Sequence, residues 1–181
     1  MSEHRSDQPA PDAIGNPPAG IHSPGPWRDI DAPNQSLDGP LVHPLTIGWG
    51  DCDPAQIAYT ANIPSWGLIA IEAWYKYCLG VNWYELNLHH GIGTPFVSLA
   101  FEFQSPVMPL SALEVEVRVS RIGNSSLSHG IVGRQRGTDC FRGKTTAAFV
   151  EAVPMKTMPI PPNIRASIAH YQSVQDQGIT T

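Results

Sequence analysis

One long helical pattern, followed by several alternating segments, limits the folds open to this chain. Between about Asn62 and Leu79, large residues recur every three or four positions and form one apolar stripe: Ile63, Trp66, Ala70, Ala73, Trp74 and Tyr77. Asn62 is suited to cap the first turn, and Pro64 is tolerated there because its missing N–H is not needed. Gly80 can adopt the left-handed conformation that ends a helix. The pattern predicts one long helix with a buried face.

Segments of period two surround this helix and predict strands. Leu45–Trp49 precedes it, and later segments cover residues 97–103, 113–121, 126–135 and 141–153. Residues 137–139 are typical of the turn between the last two, and residues 83–93 are rich in turn formers. The order predicts an α+β fold in which an antiparallel sheet wraps around one helix. From this order alone, a cystatin-like roll or another α+β roll also fits.

The chain divides into one domain and two terminal segments. Residues 1–40 contain eight prolines and four glycines, so we expect an extended or disordered tail without helix or ladder. Trp27 and Ile30 could anchor the last part of this tail to the body. Residues 41–174 form the predicted domain, and residues 175–181 form a predicted C-terminal tail.

Composition and charge exclude several classes of protein. The 181 residues carry a net charge of −5, which argues against general nucleic-acid binding. No apolar run approaches the roughly 20 residues of a membrane span, and the N-terminus lacks the apolar core of a signal peptide. The three cysteines are far apart, which fits a reducing cytoplasm better than a disulfide scaffold or a zinc site. We expect a cytoplasmic protein without membrane contact, metal or redox cofactor.

The motif between the first predicted strand and the helix points to a family. Residues 50–55 read Gly-Asp-Cys-Asp-Pro-Ala, and this string resembles the signature of the 4-hydroxybenzoyl-CoA thioesterases, which have the hotdog fold. Further matches occur at Asn62 and Trp66, in residues 80–83 and in residues 93–98. The resemblance covers roughly residues 43–171. It implies a hotdog sheet around the central helix and hydrolysis of an acyl-CoA thioester.

The resemblance assigns the chemistry to the second carboxylate of the motif. Asp53 matches the family's catalytic carboxylate, which attacks the thioester carbonyl or takes a proton from water. The carbonyl oxygen would accept from the backbone N–H of Thr60, with Ala61 adjacent, at the positive end of the helix. We expect Asp51 to be structural. Cys52 lies between two carboxylates that disfavour a thiolate, so we expect a buried, inert thiol.

A substrate pocket and a coenzyme A site are also implied by the resemblance. The predicted acyl pocket, partly supplied by a neighbouring subunit, is lined by Ile57, Tyr59, Trp66, Thr94, Phe96 and Val97. Leu68 replaces an acid that contacts the ring hydroxyl in aromatic-specific relatives, so we expect an aryl group without that hydroxyl, or a medium acyl chain. Of the relatives' basic cluster only Arg121 remains. The other candidates for the phosphates are Arg134, Arg136, Arg142 and Lys144.

The histidines argue against a metal site and against a dehydratase. His89 and His90 are adjacent, and no carboxylate follows at ligand spacing. His129 is in phase with apolar neighbours, so we expect an inward side chain with satisfied nitrogens. Related hotdog dehydratases need a histidine paired with an acid on the long helix or just before it, and no histidine lies near Asp53 in sequence. Two alternatives stay open: binding of acyl-CoA or of an acyl-carrier protein without turnover, and a dehydratase.

The predicted sheet leaves one face and two edges uncovered. Relatives with the hotdog fold are dimers or tetramers with sites between subunits, and pairing of two edges removes an aggregation hazard. We therefore expect a homodimer or homotetramer with the substrate sites at the interface.

Overall fold

The computed structural model describes residues 39–109 and 111–176, so residues 1–38, which hold nearly all of the predicted N-terminal tail, lie outside it. Its helices are α1 (Asn62–Leu79), α2 (Trp83–His90) and α3 (Pro162–Val174). Its strands are β1 (Leu41–Leu45), β2 (Ile92–Gly93), β3 (Phe96–Phe103), β4 (Leu113–Ile122), β5 (Ser126–Gln135), β6 (Thr138–Ala148) and β7 (Val150–Glu151). A single 3-10 turn covers Trp49–Asp51.

Five strands form an antiparallel sheet in the order β1-β4-β5-β6-β3, and one face of it packs on α1. Alternate residues of the central strands enter the core, among them Leu113, Val115, Val117, Leu127 and Ile131. Three of the predicted strands agree with β3, β4 and β5 to within one residue, and the predicted residues 141–153 overlap β6 and β7. The predicted α+β hotdog arrangement is confirmed.

Helix α1 has the predicted bounds, but its first turn is not capped as predicted. Gly80 ends it with a φ of 75°, as expected for a left-handed stop. The prediction that Asn62 caps the helix is wrong, because Ala61 precedes the first turn in helical conformation. The Asn62 side-chain amide instead donates to the backbone carbonyl of Asp51 at 3.0 Å. This bond ties the start of α1 to the loop that carries the Asp-Cys-Asp motif.

The predicted strand Leu45–Trp49 is wrong, because β1 ends at Leu45. The Gly48 N–H donates to Oδ2 of Asp51 at 2.8 Å, which bends the chain into the 3-10 turn. Apolar residues at alternate positions therefore did not mark a ladder here. The side chain of Asp51, three residues further on, gave the backbone a closer hydrogen-bond partner.

Two predicted turn regions also differ from the structure. Residues 83–90 of the turn-rich segment form α2, because Asn82 and Glu85 accept hydrogen bonds from each other's backbone N–H at 2.8 Å. The turn between β5 and β6 lies at Arg136 and Gly137, with φ values of 51° and 76°. Thr138, expected in this turn, already belongs to β6.

Helix α3 closes the side of the sheet next to β4. The Tyr171 hydroxyl donates to the carbonyl of Val117 and accepts from the Leu41 N–H at 2.9 Å. Beyond the end of β1, the side-chain amide of Gln175 bonds the N–H and the carbonyl of Val119 at 2.9 and 3.0 Å. The predicted C-terminal tail therefore begins with a buried side chain that continues the ladder of β4.

The edge formed by β3 is long and partly apolar. Val97, Leu99 and Phe103 are exposed by 65%, 47% and 52%. The opposite edge, β1, has five residues and includes Pro44, which cannot donate to a further strand. An apolar, unprotected edge of eight residues is suited to pair with another strand.

Candidate active site

The Asp-Cys-Asp motif folds into a short hairpin ahead of α1. Cys52 and Ala58 pair in an isolated antiparallel bridge. The Asp53 N–H donates to the carbonyl of Ile57, and the Gln56 N–H donates to the carbonyl of Asp53, both at 2.9 Å. Gln56 has a φ of 64°, in the left-handed region. Asp53 therefore lies at the base of a hydrogen-bonded turn.

The Asp53 carboxylate is oriented and keeps one oxygen available. Its Oδ1 accepts from the Ala55 N–H at 2.8 Å. Among residues 39–109 and 111–176, no cation pairs with this half-buried carboxylate, and no donor contacts Oδ2. A carboxylate in this state can present its second oxygen to a carbonyl carbon or to a water molecule.

Asp51 is structural, as predicted. Its Oδ2 is used by the Gly48 N–H, and its backbone carbonyl accepts from the Tyr59 N–H at 2.8 Å and from the Asn62 side chain at 3.0 Å. One residue thus joins the 3-10 turn, the end of the hairpin and the first turn of α1. These bonds fix the position of Asp53 relative to the helix start.

Two backbone N–H groups are open at the N-terminus of α1. Asn62 and Ile63 donate to the carbonyls of Tyr59 and Thr60 at 2.9 and 3.2 Å. Within the described part of the chain, the N–H groups of Thr60 and Ala61 have no acceptor, and both residues are exposed. Free N–H groups at the positive end of an 18-residue helix favour a negative charge on an oxygen placed there.

Cys52 differs from its prediction, and the exposed position of Trp49 near the site was not predicted. The Cys52 thiol is half-exposed rather than buried, and its Sγ lies 3.6 Å from the carbonyl oxygen of Gly48. Trp49 is 73% exposed on the 3-10 turn, although the sequence interpretation placed it in a strand. The glycines on both sides of Trp49 were the signal that this residue lies in a turn.

Four of the predicted pocket residues lie on the hairpin or on the first turns of α1. Tyr59 is 55% exposed and directly precedes the open amides. Ile57 and Leu68 are half-buried, and Leu68 packs against the core. Trp66 is 8% exposed and belongs to the core of the single chain. Tyr59 and Ile57 are therefore the accessible members of this group.

The other three predicted pocket residues lie near the opposite end of α1. The Phe96 ring contacts Trp83, which contacts Tyr75, with ring centroids 5.5 and 5.7 Å apart. Tyr75 is fourteen residues after Ala61, which corresponds to about 21 Å along the helix. Thr94 and Val97, next to Phe96 in sequence, share this location. One chain therefore does not bring Thr94, Phe96 and Val97 to Asp53.

Two of the predicted phosphate-binding residues are committed to an ion-pair network. Arg134 donates to Glu116 and Asp139, and Arg142 donates to Asp139, all at 2.7 Å. Arg142 and Lys144 project from the sheet face opposite to α1. Arg121, Arg136 and Lys144 are exposed, and no ion pair engages them within the described residues. Their role towards coenzyme A stays a prediction.

The network shifts the pKa of its members. Burial opposes the charge on Glu116, but hydrogen bonds from Arg118 and Arg134 outweigh this effect and lower its pKa. The hydrogen bond from Arg142, with a further one from Arg134, lowers the pKa of Asp139. Burial likewise opposes the charge on Arg134, but its bonds to Glu116 and Asp139 raise its pKa. The network is therefore fully charged near neutral pH.

His129 points into the core, as predicted, but its nitrogens are not satisfied. The ring is completely buried, 4.5 Å from the Trp74 ring between centroids. Neither Nδ1 nor Nε2 has a hydrogen-bond partner among the described residues. Burial lowers the pKa of His129 to about 3, so the ring is neutral at physiological pH. It lies beside Trp74 and Tyr75 in the C-terminal half of α1, away from the open amides.

The described residues contain no group of three metal-ligating side chains. None of their helices is long and apolar enough to cross a bilayer.

Comparisons with other proteins identify similar sequences and folds. A family model described as the thioesterase-like superfamily matches residues 47–168. A thioesterase-superfamily protein from Jannaschia sp. CCS1 is 41% identical, with a TM-score of 0.71, and the match covers 74% of this chain and 93% of that one. A search of curated proteins finds no match.

More distant structures share the fold. A 1,4-dihydroxy-2-naphthoyl-CoA thioesterase from Synechocystis is 16% identical, with a TM-score of 0.66, and the match covers 72% of this chain and 96% of that one. A DHNA-CoA thioesterase from Staphylococcus aureus is 14% identical, with a TM-score of 0.67, and the match covers 77% and 95%.

Proposed function

Because the chain belongs to the thioesterase-like superfamily, we propose that it is a hydrolase that cleaves acyl-CoA thioesters with Asp53 as the catalytic carboxylate. One observation carries this proposal. Asp53 keeps Oδ2 available, and the N–H groups of Thr60 and Ala61, a few residues further along the chain, are open as well. The three groups lie on one hydrogen-bonded segment at the positive end of α1. This arrangement suits attack at a carbonyl carbon and stabilisation of the resulting oxyanion.

The reaction consumes one water and releases a carboxylic acid and coenzyme A. The thioester carbonyl oxygen accepts from the N–H groups of Thr60 and Ala61, which are strongest towards the negative oxygen of the tetrahedral intermediate. Asp53 either attacks the carbonyl carbon, forming an anhydride that water then cleaves, or takes the proton of the attacking water. The thiolate of coenzyme A leaves without a strong general acid.

A second copy of the chain completes the pocket in this proposal. The apolar edge of β3 suits antiparallel pairing with the β3 of another copy. Such pairing brings residues from the far end of one α1 towards the near end of the other. Thr94, Phe96 and Val97 would then line the acyl site that begins at Asp53 of the partner copy. The protein would be a dimer, or a tetramer of two such dimers.

The acyl group is proposed to be aryl or a medium acyl chain. The names of two fold neighbours, which are thioesterases for a dihydroxynaphthoyl-CoA and for DHNA-CoA, are consistent with a flat aromatic group. Tyr59 and Phe96 supply aromatic surface for such a ring. Leu68 has no acceptor for a ring hydroxyl, which favours an acyl group without a hydroxyl at that position.

A panel of thioesters tests the proposal. Benzoyl-CoA, 4-hydroxybenzoyl-CoA, dihydroxynaphthoyl-CoA, a medium-chain acyl-CoA and an enoyl-CoA are incubated with the full chain, and thiol release is measured. The proposal expects thiol release with at least one saturated or aryl thioester. Tight binding without thiol release would instead support a non-catalytic acyl-CoA binder. Hydration of the enoyl-CoA without thiol release would support a dehydratase, which the position of His129 away from Asp53 disfavours.

A further inference from the structure

The sheet face opposite to α1, here called the outer face, contains a hollow of about 330 Å³. The hollow extends across β3, β4, β5 and β6. Its lining combines small or apolar residues in the floor with charged residues at the rim: Ala100, Glu102, Glu116, Arg118, Gly130, Ile131, Val132, Arg142, Gly143 and Lys144. This shape and composition suit an apolar side chain that is flanked by charged groups.

A glycine opens the centre of the hollow between two cations. Gly130 of β5 is opposite Arg118 of β4 on one side and Lys144 of β6 on the other. A Cβ added at Gly130 meets no atom within 4 Å. Adjacent strands are about 4.8 Å apart, so the backbones of Arg118 and Lys144 lie about 10 Å apart, with Gly130 between them. A flat aromatic ring over Gly130 would contact both cations through cation–π interactions.

The cations around the hollow differ in whether they already form ion pairs. Arg118 pairs with Glu116 and Asp176, and Arg142 pairs with Asp139. Lys144, by contrast, is an exposed cation without an ion pair in the parts of the chain that the structure describes. The hollow therefore offers an apolar floor and one cation available for a carboxylate.

The segment before β1 has the complementary chemistry. Residues 1–38 contain six acidic residues and two arginines, a net charge of −4 out of −5 for the whole chain. Trp27 and Ile30 are its large apolar residues closest to the domain, apart from Leu37, and Asp29 and Asp31 flank Ile30. Residues 27–31 thus carry two apolar and two acidic side chains, together with one arginine, Arg28.

The chain also enters the domain near the hollow. Leu41, the first residue of β1, pairs with Val117, which directly precedes Arg118 at the rim. Gly130 lies two strands from β1, about 10 Å across the sheet. The nine residues from Asp31 to Gly39 make eight steps along the chain and can span up to about 26 Å when extended. Residues 27–31 can therefore reach the hollow of their own chain without strain.

We propose that residues 27–31 dock into the hollow of their own chain, with the Trp27 indole over Gly130 and with Asp29 or Asp31 paired to Lys144. The docked segment covers the outer face and keeps it from packing against the sheet of another copy. This inference goes beyond thioester hydrolysis and does not depend on it.

Carbodiimide coupling, which joins a carboxylate directly to a nearby amine, tests the docking. The chain has three lysines, Lys76, Lys144 and Lys156. The full chain is mixed with ¹⁵N-labelled chain, coupled and analysed by mass spectrometry, so that links within and between copies are distinguished. We expect Lys144 to be joined to Asp29 or Asp31 within one copy. Lys156, which is also exposed, is the internal control and should give at least tenfold less product with the same carboxylates.

Two variants identify the contacts. Trp27→Ala, outside the domain, and Gly130→Leu, which fills the hollow, should each reduce the Lys144 product at least tenfold, with Lys156→Gln as the unaffected control. Trp27→Ala keeps the test decisive if Gly130→Leu fails to fold. Equal coupling of Asp29 and Asp31 to Lys144 and Lys156, or no coupling to Lys144, would overturn the proposal.

Discussion

Two phenylalanine rings on the inner face of the sheet fill space that glycines leave free. A Cβ at Gly133 would lie 2.2 Å from the Phe141 ring, and Cβ atoms at Gly67 and Gly143 would lie 2.8 and 2.7 Å from Phe101. Gly67 is on α1, and Gly143 is on β6. The Phe101 ring therefore sits between the helix and the sheet because both backbones omit a side chain there.

Substitution of Gly133 by alanine should destabilise the domain by about 1–3 kcal/mol, because Phe141 must leave its position. Gly50→Ala, in the exposed 3-10 turn, is the control, since its Cβ meets no atom within 4 Å. The control should change the free energy of unfolding by less than about 0.5 kcal/mol. Urea unfolding at pH 7 measures both. Equal losses for the two variants would contradict this packing.

His129 should make stability depend on pH in a range where carboxylates do not titrate. Burial lowers its folded pKa to about 3, whereas the unfolded chain has the ordinary value of about 6.5. The unfolded state therefore binds the proton first, and stability falls by up to about 1.4 kcal/mol for each pH unit below about 6.5. The lowered pKa values of Glu116 and Asp139 act only at more acidic pH.

Urea unfolding between pH 7 and pH 5 checks this dependence. His129→Leu should flatten the slope, and His170→Gln, which changes an exposed histidine on α3, should leave it unchanged. An unchanged slope in His129→Leu would show that His129 does not carry the effect.

At the level of elements, most of the sheet and α1 could be predicted from periodicity, because burial on one face dictates where apolar residues recur. Helix α2 was missed although its reciprocal capping pair, Asn82 and Glu85, is visible in the sequence. The 3-10 turn depends on a hydrogen bond from the Gly48 N–H to the Asp51 side chain, and the spacing of apolar residues does not predict such a bond. Tyr171, which bonds β1 and β4 from 54 or more residues away, could not be predicted from local pattern.

In the candidate site, too, the local sequence predicts neighbouring residues but not contacts between distant ones. A local string of residues was enough to propose Asp53, Thr60 and Ala61 as site residues, because all three lie within nine residues of one another. The distance between Asp53 and Phe96 depends on how α1 crosses the sheet, so it required the structure. The commitment of Arg134 and Arg142 to Asp139 likewise depends on the register of β5 and β6.

The β3 edge should control association of the chain. Leu99→Lys places a charge on this edge and should weaken self-association at least tenfold. Val42→Lys is the matched control on β1, since Val42 is 46% exposed and Leu99 is 47% exposed. Sedimentation velocity at micromolar concentration measures both. A monomeric wild-type protein, or dissociation caused by Val42→Lys alone, would contradict association through β3.

For the whole molecule, the long helix separates two halves of the proposed binding site. Asp53 and the open amides lie at its N-terminus, whereas Thr94, Phe96 and Val97 lie about four turns further along. A monomer would expose both halves to water. Association through β3 would join the two halves from different copies, so weakening the dimer should also reduce thioester hydrolysis.

The rate of thiol release by Asp53→Asn tests the central claim most directly. This substitution keeps an acceptor for the Ala55 N–H but removes the charge and basicity of the side chain. With the best thioester of the panel, kcat should fall at least about 100-fold while circular dichroism and the free energy of unfolding stay close to wild type. Glu102→Gln, which neutralises a carboxylate on the outer face, should retain the wild-type rate. A folded Asp53→Asn protein with near wild-type kcat would contradict the account.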